Sequence, residues 1–599
     1  MLKKILYLLS NNEKKKLFLL LSLFVIMAFF DLLGITSIAP FVTLLSNPEV
    51  IETNPIIFKF FNFSKEYFSI RDKDQFLSFF GIIVAVLFLT SIFLRSISIY
   101  AMTKFSMMRE YSIGKKLIEG YLHQDYKWFL NRNSADLGKV VLSEVQQVID
   151  LAFIPLLQFI SQTLVASVLL TLLIIYNPIL SISVGLILSS SYFFVFFFLK
   201  NYLLKIGNER LKANEMRFHS VSEAFGAIKE IKLNNTEDLY VNFFSRNAKV
   251  FSKNKALAVI IGSIPRFMIE ALAFSILILS IIFFISTGSK FTDMLPTIAV
   301  YSFAGYRLMP TFQQIYAAST KIRFSRPALD ALYNDVIKLN HFKLRKNKTF
   351  EDNIIFNKSI SFENLNFKYP DAKKNALDDI NISIKSFSKV GIVGSTGSGK
   401  TTLVDIILCL LNPDKGNLLI DGIKIQSNNK RSWQKLLGYV PQQIYLSDSS
   451  INNNIAFGIN NEDIDYEKIK RVAKISNLHN FIINKLPNGY DTVIGERGIK
   501  LSGGERQRIG IARALYHDPK VIIFDEATSS LDNITEKAVL KSINELKNKI
   551  TIIMIAHRLA TVKKCDQIYL INNGKLASKG TYEELLNKSA EFQEMISSQ

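Results

Sequence analysis

A polytopic α-helical membrane domain followed by an α/β domain is the fold class that this 599-residue sequence predicts. Three observations carry the prediction. Six apolar stretches of membrane-spanning length crowd the N-terminal half, at about 17–45, 76–103, 151–176, 178–200, 257–287 and 294–320. The mean hydropathy is +0.21 with 21% charged residues, too apolar for a purely soluble chain and too charged for one lying wholly in lipid. From Ser359 onward, β-rich and helical segments with Gly-rich turns replace the long apolar runs.

The opening segment MLKKILYLLSNNEKKK lacks a small-residue cleavage site after a short apolar core, so no cleaved signal is expected. The net charge is +21, and residues 1–358 carry +15 of it (40 Lys/Arg against 25 Asp/Glu). A basic half suggests nucleic acid in a soluble protein. Here it is also the hydrophobic half, so the charge is assigned to the flanks of membrane helices and no nucleic-acid partner is expected. The segments 104–149 and 200–255 carry seven and eleven Lys/Arg, whereas 46–75 carries four against five acids. The positive-inside rule therefore puts both termini and the two long basic loops in the cytosol. Between the first two spans, IIFKFFNFSKEYF (56–68) is rich in Phe with interleaved charge. It suits either an amphipathic helix at the outer interface or a loop capping the bundle.

Charges within the spans are costly and tend to be functional. They are Asp31, Arg95, Arg266, Glu270 and Arg307. Arg266 and Glu270 stand four apart, at the spacing of a local ion pair. Asp31 or Arg95 near a span end can instead snorkel. Cavity-facing arginines suit an anionic head group, phosphate above all, because the guanidinium fork matches phosphate oxygens. Cys409 and Cys565 stand in no metal-ligand or redox spacing.

A polar, Lys-rich linker is expected over 324–358, between a membrane domain at 1–323 and an α/β domain at 359–599. In the latter, KVGIVGSTGSGKTTLVDIILCLL reads as strand, glycine turn and helix. Gly394, Ser395, Thr396, Gly397, Ser398, Gly399, Lys400 and Thr401 match the P-loop pattern in full, and Thr402 extends it. Such a loop cradles phosphates with backbone N–H groups at a helix N-terminus. Lys400 then reaches the β/γ-phosphates and Thr401 supplies a Mg²⁺ ligand. The apolar run Val521–Phe524 leads into Asp525 and Glu526, where Asp525 supports the Mg²⁺ shell and Glu526 polarises the attacking water. ATP and Mg²⁺ are the implied cofactors.

Between these lies Leu501-Ser502-Gly503-Gly504-Glu505-Arg506-Gln507, which resembles the signature motif of ABC transporter ATPases. The remaining motifs follow in the family's order. Tyr369 looks like the adenine-stacking aromatic, and Gln442 like the Q-loop glutamine that joins Mg²⁺ to the membrane domain. Ile494–Gly498 looks like the exporter X-loop, Ser530-Leu531-Asp532 like the D-loop, and His557 like the switch histidine. Alone, Tyr369 reads as a surface aromatic and His557 as an ordinary loop histidine; their order decides otherwise. The resemblance implies a type IV ABC exporter-like fold: six transmembrane helices fused to an α/β P-loop ABC ATPase domain. It also implies composite ATP sites, with Ser502, Gly503 and Gly504 of one chain facing the P-loop of another. A chain with one ATPase domain is then a half-transporter, most simply a homodimer. Coupling helices are expected near 120–132 and 225–240.

The membrane half (MLKKILYLLS, APFVTLLS, IPRFMIEALAF, YRLMPTFQQIYAA) resembles bacterial lipid-linked oligosaccharide flippases of protein N-glycosylation. That resemblance implies an outer interfacial helix and basic cavity residues that meet a lipid pyrophosphate. Arg95, Arg266 and Arg307 match such positions; Gln314 stands where a further arginine is usual. The implied substrate is a polyprenyl-pyrophosphate-linked oligosaccharide flipped from the inner to the outer leaflet of the bacterial cytoplasmic membrane. Export of another lipid, a peptide or drugs is the alternative.

Overall fold

The computed structural model describes the chain except for residues 69, 71, 177, 287–290, 344–352, 371, 527–537, 540, 543–549, 557–558 and 598–599. It forms two units, Met1–Gln124 with Asn131–Leu344, and Asp125–Leu130 with Arg345–Gln599.

The described residues of the first unit are largely helical. The predicted spans fall on Asn11–Thr36 with Ile38–Ser46, Lys73–Leu122, Ile154–Tyr176, Pro178–Gly226, Glu237–Ser286 and Phe291–Lys343. Among the described residues, three stretches are long and apolar enough to cross a membrane: Asn11–Ser46, Lys73–Leu122 and Ser134–Ile175. The 50-residue helix Lys73–Leu122 is about 75 Å long, more than twice the ~30 Å hydrocarbon core. It must therefore project well beyond a bilayer. The last helix runs to Lys343 and overruns the expected boundary at 323. Its reason is legible afterwards: Phe324, Ala328, Leu332, Val336 and Leu339 recur at helical spacing and are buried. The first twenty residues of the expected linker are thus helix.

Pro55–Phe68 is a helix, so this segment combines features of the two expected forms. Its Phe61 is buried with Leu44, Ile51 and Phe76, so it caps one end of the helices. Ile56 (80% exposed) and Tyr67 (67%) leave the opposite edge open. Short helices Tyr126–Phe129 and Ile228–Asn234 stand where coupling helices were expected. The former belongs to the second unit, where Lys127 Nζ lies 5.4 Å from the Phe367 ring centre.

The second unit holds two sheets. Strands β1 (Ser359–Phe367), β2 (Leu377–Lys385), β4 (Lys415–Ile420) and β5 (Ile423–Lys424) form an antiparallel sheet in the order β2-β1-β4-β5. The other sheet contains β3 (Lys389–Val393), β6 (Leu437–Val440), β7 (Val521–Asp525), β8 (Thr551–Ile555), β9 (Gln567–Asn572) and β10 (Lys575–Gly580). Its order is β10-β9-β3-β8-β7-β6, parallel except for β10. Every residue of β3, β7 and β8 is buried, as expected for central parallel strands covered on both faces. In such sheets ligands bind beyond the carboxyl ends of the strands. The P-loop leaves β3 there, and Asp525 closes β7 at the same edge.

Candidate functional site

The P-loop spans β3 and the helix Lys400–Ile407. Gly399 caps that helix with φ +106°, and a Cβ there would sit 2.5 Å from the Ala376 carbonyl oxygen. Only glycine fits. Ser395, Thr396 and Gly397 form an exposed tip, while Gly394, Ser398 and Lys400 are buried. Lys400 Nζ folds over the loop and donates to the carbonyls of Gly394 and Ser395, each at 2.8 Å. Burial pushes its ammonium below the ordinary lysine range. The Ser398 hydroxyl is buried with no hydrogen-bond partner among the described residues. A loop holding a buried cation and an unsatisfied hydroxyl fits a phosphate anion.

The two acids at the end of β7 are engaged from β6 and from the segment that leaves it. Tyr439 Oη donates to Asp525 Oδ2 at 3.1 Å, and Gln442 Nε2 donates to Glu526 Oε2 at 2.8 Å. Asp525 is 7% exposed. Glu526 sits at φ +51°, a left-handed conformation that costs a non-glycine residue on the order of 1 kcal/mol or more. Such strain collects at working sites. Thr401 is exposed; Thr402 is buried, its Oγ1 3.1 Å from the Tyr369 hydroxyl. Tyr369 packs edge-on against Phe367 with centroids 5.0 Å apart. Burial, then the Asp525 charge, pushes the Asp405 carboxyl on the P-loop helix up to about 6.

Ser502 caps the helix Gly503–Tyr516 in a reciprocal box: its hydroxyl accepts from Glu505 N–H, and the Glu505 carboxylate accepts from Ser502 N–H at 2.8 Å. Gly503 and Gly504 open that helix. The expected roles of His557 and of Ser530-Leu531-Asp532 fall outside the described residues.

In the first unit, the three expected arginines differ. Arg266 Nε pairs with Glu270 at 2.7 Å, at the spacing read from the sequence. Arg307 Nη2 bonds Asp31, whose other carboxylate oxygen accepts from Ser91. Asp31 is 3% exposed, so it does not snorkel at a helix end. Arg95 has no hydrogen bond or ion pair among the described residues, yet it feels both Asp31 and Arg307. Three helices thus meet at one acid and two arginines, a cluster of net charge +1. From sequence, Arg307 can either meet an anionic head group or pair with an acid on a neighbouring helix; the structure shows the pair, and its partner Asp31, 276 residues away, is not legible locally. Sequence reading missed the buried group of Glu144, Arg210 and Asn214, in which Asn214 donates to Glu144 at 2.7 Å. Helical periodicity marks those positions as inward, but nothing local marks them as partners.

Residues 377–529 match the ABC transporter family model, and residues 52–304 match the ABC transporter transmembrane region. A solved bacterial Atm1-family ABC exporter with ATP bound superposes with a TM-score of 0.78. That superposition covers 96% of this chain and 98% of that one at 19% identity. The fold is that of an ABC exporter. The second unit of this exporter fold is its ABC ATPase domain. Rat mitochondrial iron–sulfur clusters transporter ABCB7 is 42% identical over 238 residues, 40% of this chain and 31% of its own. The Nostoc heterocyst differentiation protein HepA is 31% identical over 61% of this chain and 59% of its own. Escherichia coli alpha-hemolysin translocation protein HlyB is 38% identical over 49% and 40%. The chain spans less than half the length of the first of these relatives.

Proposed function

We propose that this chain is one half of an ATP-driven exporter that hydrolyses ATP at sites shared between two copies. The observation that carries the reading is the convergence at one sheet edge of the Lys400 loop with Asp525 and Glu526, the latter held by Gln442. Bound Mg²⁺–ATP would supply the γ-phosphoryl group and, through the metal, charge neutralisation at its oxygens. Lys400 would hold the β/γ-phosphates. Thr401, Gln442 and Asp525 would hold the metal, and Glu526 would orient water. Tyr369 would meet the base, with Thr402 behind it. His557 would contact the γ-phosphate. Ser502, Gly503 and Gly504 of the second copy would close the site.

The cargo proposed is a lipid with an anionic head group, and the resemblance favours a polyprenyl-pyrophosphate-linked oligosaccharide in a bacterial cytoplasmic membrane. The net charge of the Asp31–Arg307–Arg95 cluster supports an anion, with Arg95 its unengaged fork. The relatives do not choose: their names describe iron–sulfur cluster transport and hemolysin translocation. The test is ATPase stimulation in nanodiscs. Polyprenyl-pyrophosphate glycans should stimulate turnover and cationic drugs should not. Stimulation by the drugs alone would reject the anionic cargo, and absence of any basal turnover would reject the ATPase reading.

A further inference from the structure

The family motifs give Gln442 a role and give Tyr439 none. Yet the two lie three residues apart on one segment, and each grips one of two consecutive acids. The geometry follows from the sheet. β6 and β7 run parallel with Tyr439 opposite Ile523 and Val440 opposite Phe524. Tyr439 therefore reaches the carboxyl end of β7, where its hydroxyl donates to Asp525 Oδ2 at 3.1 Å. Its ring packs on the core shared by the two sheets, with Leu436 and Leu437, so the phenol is held from behind.

We propose that Tyr439 is a positioning residue for the metal shell: its hydroxyl occupies one oxygen of Asp525 and thereby aims the other at Mg²⁺. This rests on the ATPase reading above. A carboxylate has two oxygens and about four acceptor directions. An ionised Asp without a fixed donor rotates about its terminal torsion, which has broad wells. A buried donor on Oδ2 selects one orientation. Outer partners of metal-bound groups are worth ~10–100-fold in metal affinity or activity.

Tyr439→Phe removes only the hydroxyl and keeps the packed ring. The measurement is Mn²⁺ binding to the intact transporter in the presence of a non-hydrolysable ATP analogue, read from the spectrum of free Mn²⁺. Tyr439→Phe should weaken Mn²⁺ about 10-fold, leave metal-free analogue affinity unchanged, and raise the Mg²⁺ concentration for half-maximal ATPase in proportion. The effect should vanish in an Asp525→Asn background, because the hydroxyl acts through that carboxylate. Mn²⁺ affinity equal to the parent protein's would overturn the proposal. So would an equal loss in the Asp525→Asn background, or a weaker analogue affinity without metal. If the parent protein itself binds no Mn²⁺ with the analogue, the ATPase reading fails instead.

Discussion

Asp31 decides what the arginines of the spans are free to do. An unpaired charge at mid-membrane costs at least ~2.5–3.5 kcal/mol on insertion scales, so a buried acid between two arginines offsets much of a shared penalty. Because Arg307 is bonded to Asp31, Arg307→Ala strands a buried carboxylate. We expect it to lower the melting temperature in detergent and the ATPase together. A double change, Arg307→Met with Asp31→Asn, should recover most of the melting temperature. Arg95→Ala leaves the pair intact and should lower transport of a pyrophosphate-linked lipid with little change in melting. Equal melting losses for Arg95→Ala and Arg307→Ala would contradict this division of roles. At the other site, Glu526→Gln keeps the same strained backbone, so its effect is chemical. It should cut steady-state hydrolysis at least ~100-fold while nucleotide binding persists, and near-normal turnover would reject Glu526 as the water-orienting group.

Ser502 and Asp405 tie two helices of the ATPase domain to measurable stability. Ser502 is both the cap of Gly503–Tyr516 and the expected contact to a second copy's nucleotide. Ser502→Ala should cost about 1 kcal/mol of stability through the lost cap. Ser502→Asp keeps a capping oxygen and should hold the melting temperature while it depresses hydrolysis, since it sets an anion against phosphate. Matching losses of stability in both variants would mean the cap is not what holds this helix end. Asp405, on the P-loop helix, gives a pH dependence. With its carboxyl pushed up to about 6, the native state binds more protons than the unfolded chain between an ordinary value of about 3.9 and 6. Stability from this group therefore falls as pH rises through that window. Asp405→Asn should raise the melting temperature at pH 7.5, and the gain should shrink to nothing near pH 4. A constant gain across that range would show that the carboxyl does not titrate there.

The whole molecule is tested by mixing. If sites are composite, a Lys400→Ala chain and a Ser502→Arg chain together give dimers with one doubly damaged site and one intact site. Mixing should then restore hydrolysis that neither homodimer has. No recovery, with dimers shown to exchange subunits, would put each site within a single chain. Helix length matters at this scale too. The helices Lys73–Leu122 and Glu237–Ser286, 50 residues each, are about 75 Å long, more than the hydrocarbon core of a bilayer takes up.

Local chemistry made much of this protein legible. Apolar run length marked the spans, since lipid admits only helices whose backbone is satisfied internally. Glycines at fixed spacing marked the P-loop, because backbone must approach phosphate closely, and buried apolar runs marked the central strands. Composition left a helix or a capping loop open at 56–68; the segment is helical, and its Phe61 packs on Leu44 and Phe76, a contact no local pattern carries. Helical spacing beyond residue 323 was present as well, but it lay hidden among charged residues that read as linker. What no local pattern carried is pairing across the chain. Asp31 meets Ser91 and Arg307 only when three helices pack. Tyr439 meets Asp525 only when β6 lies beside β7. Sequence fixes which groups each element offers; tertiary structure alone decides which of them face each other, because burial makes an unpaired charge or donor too costly to leave alone.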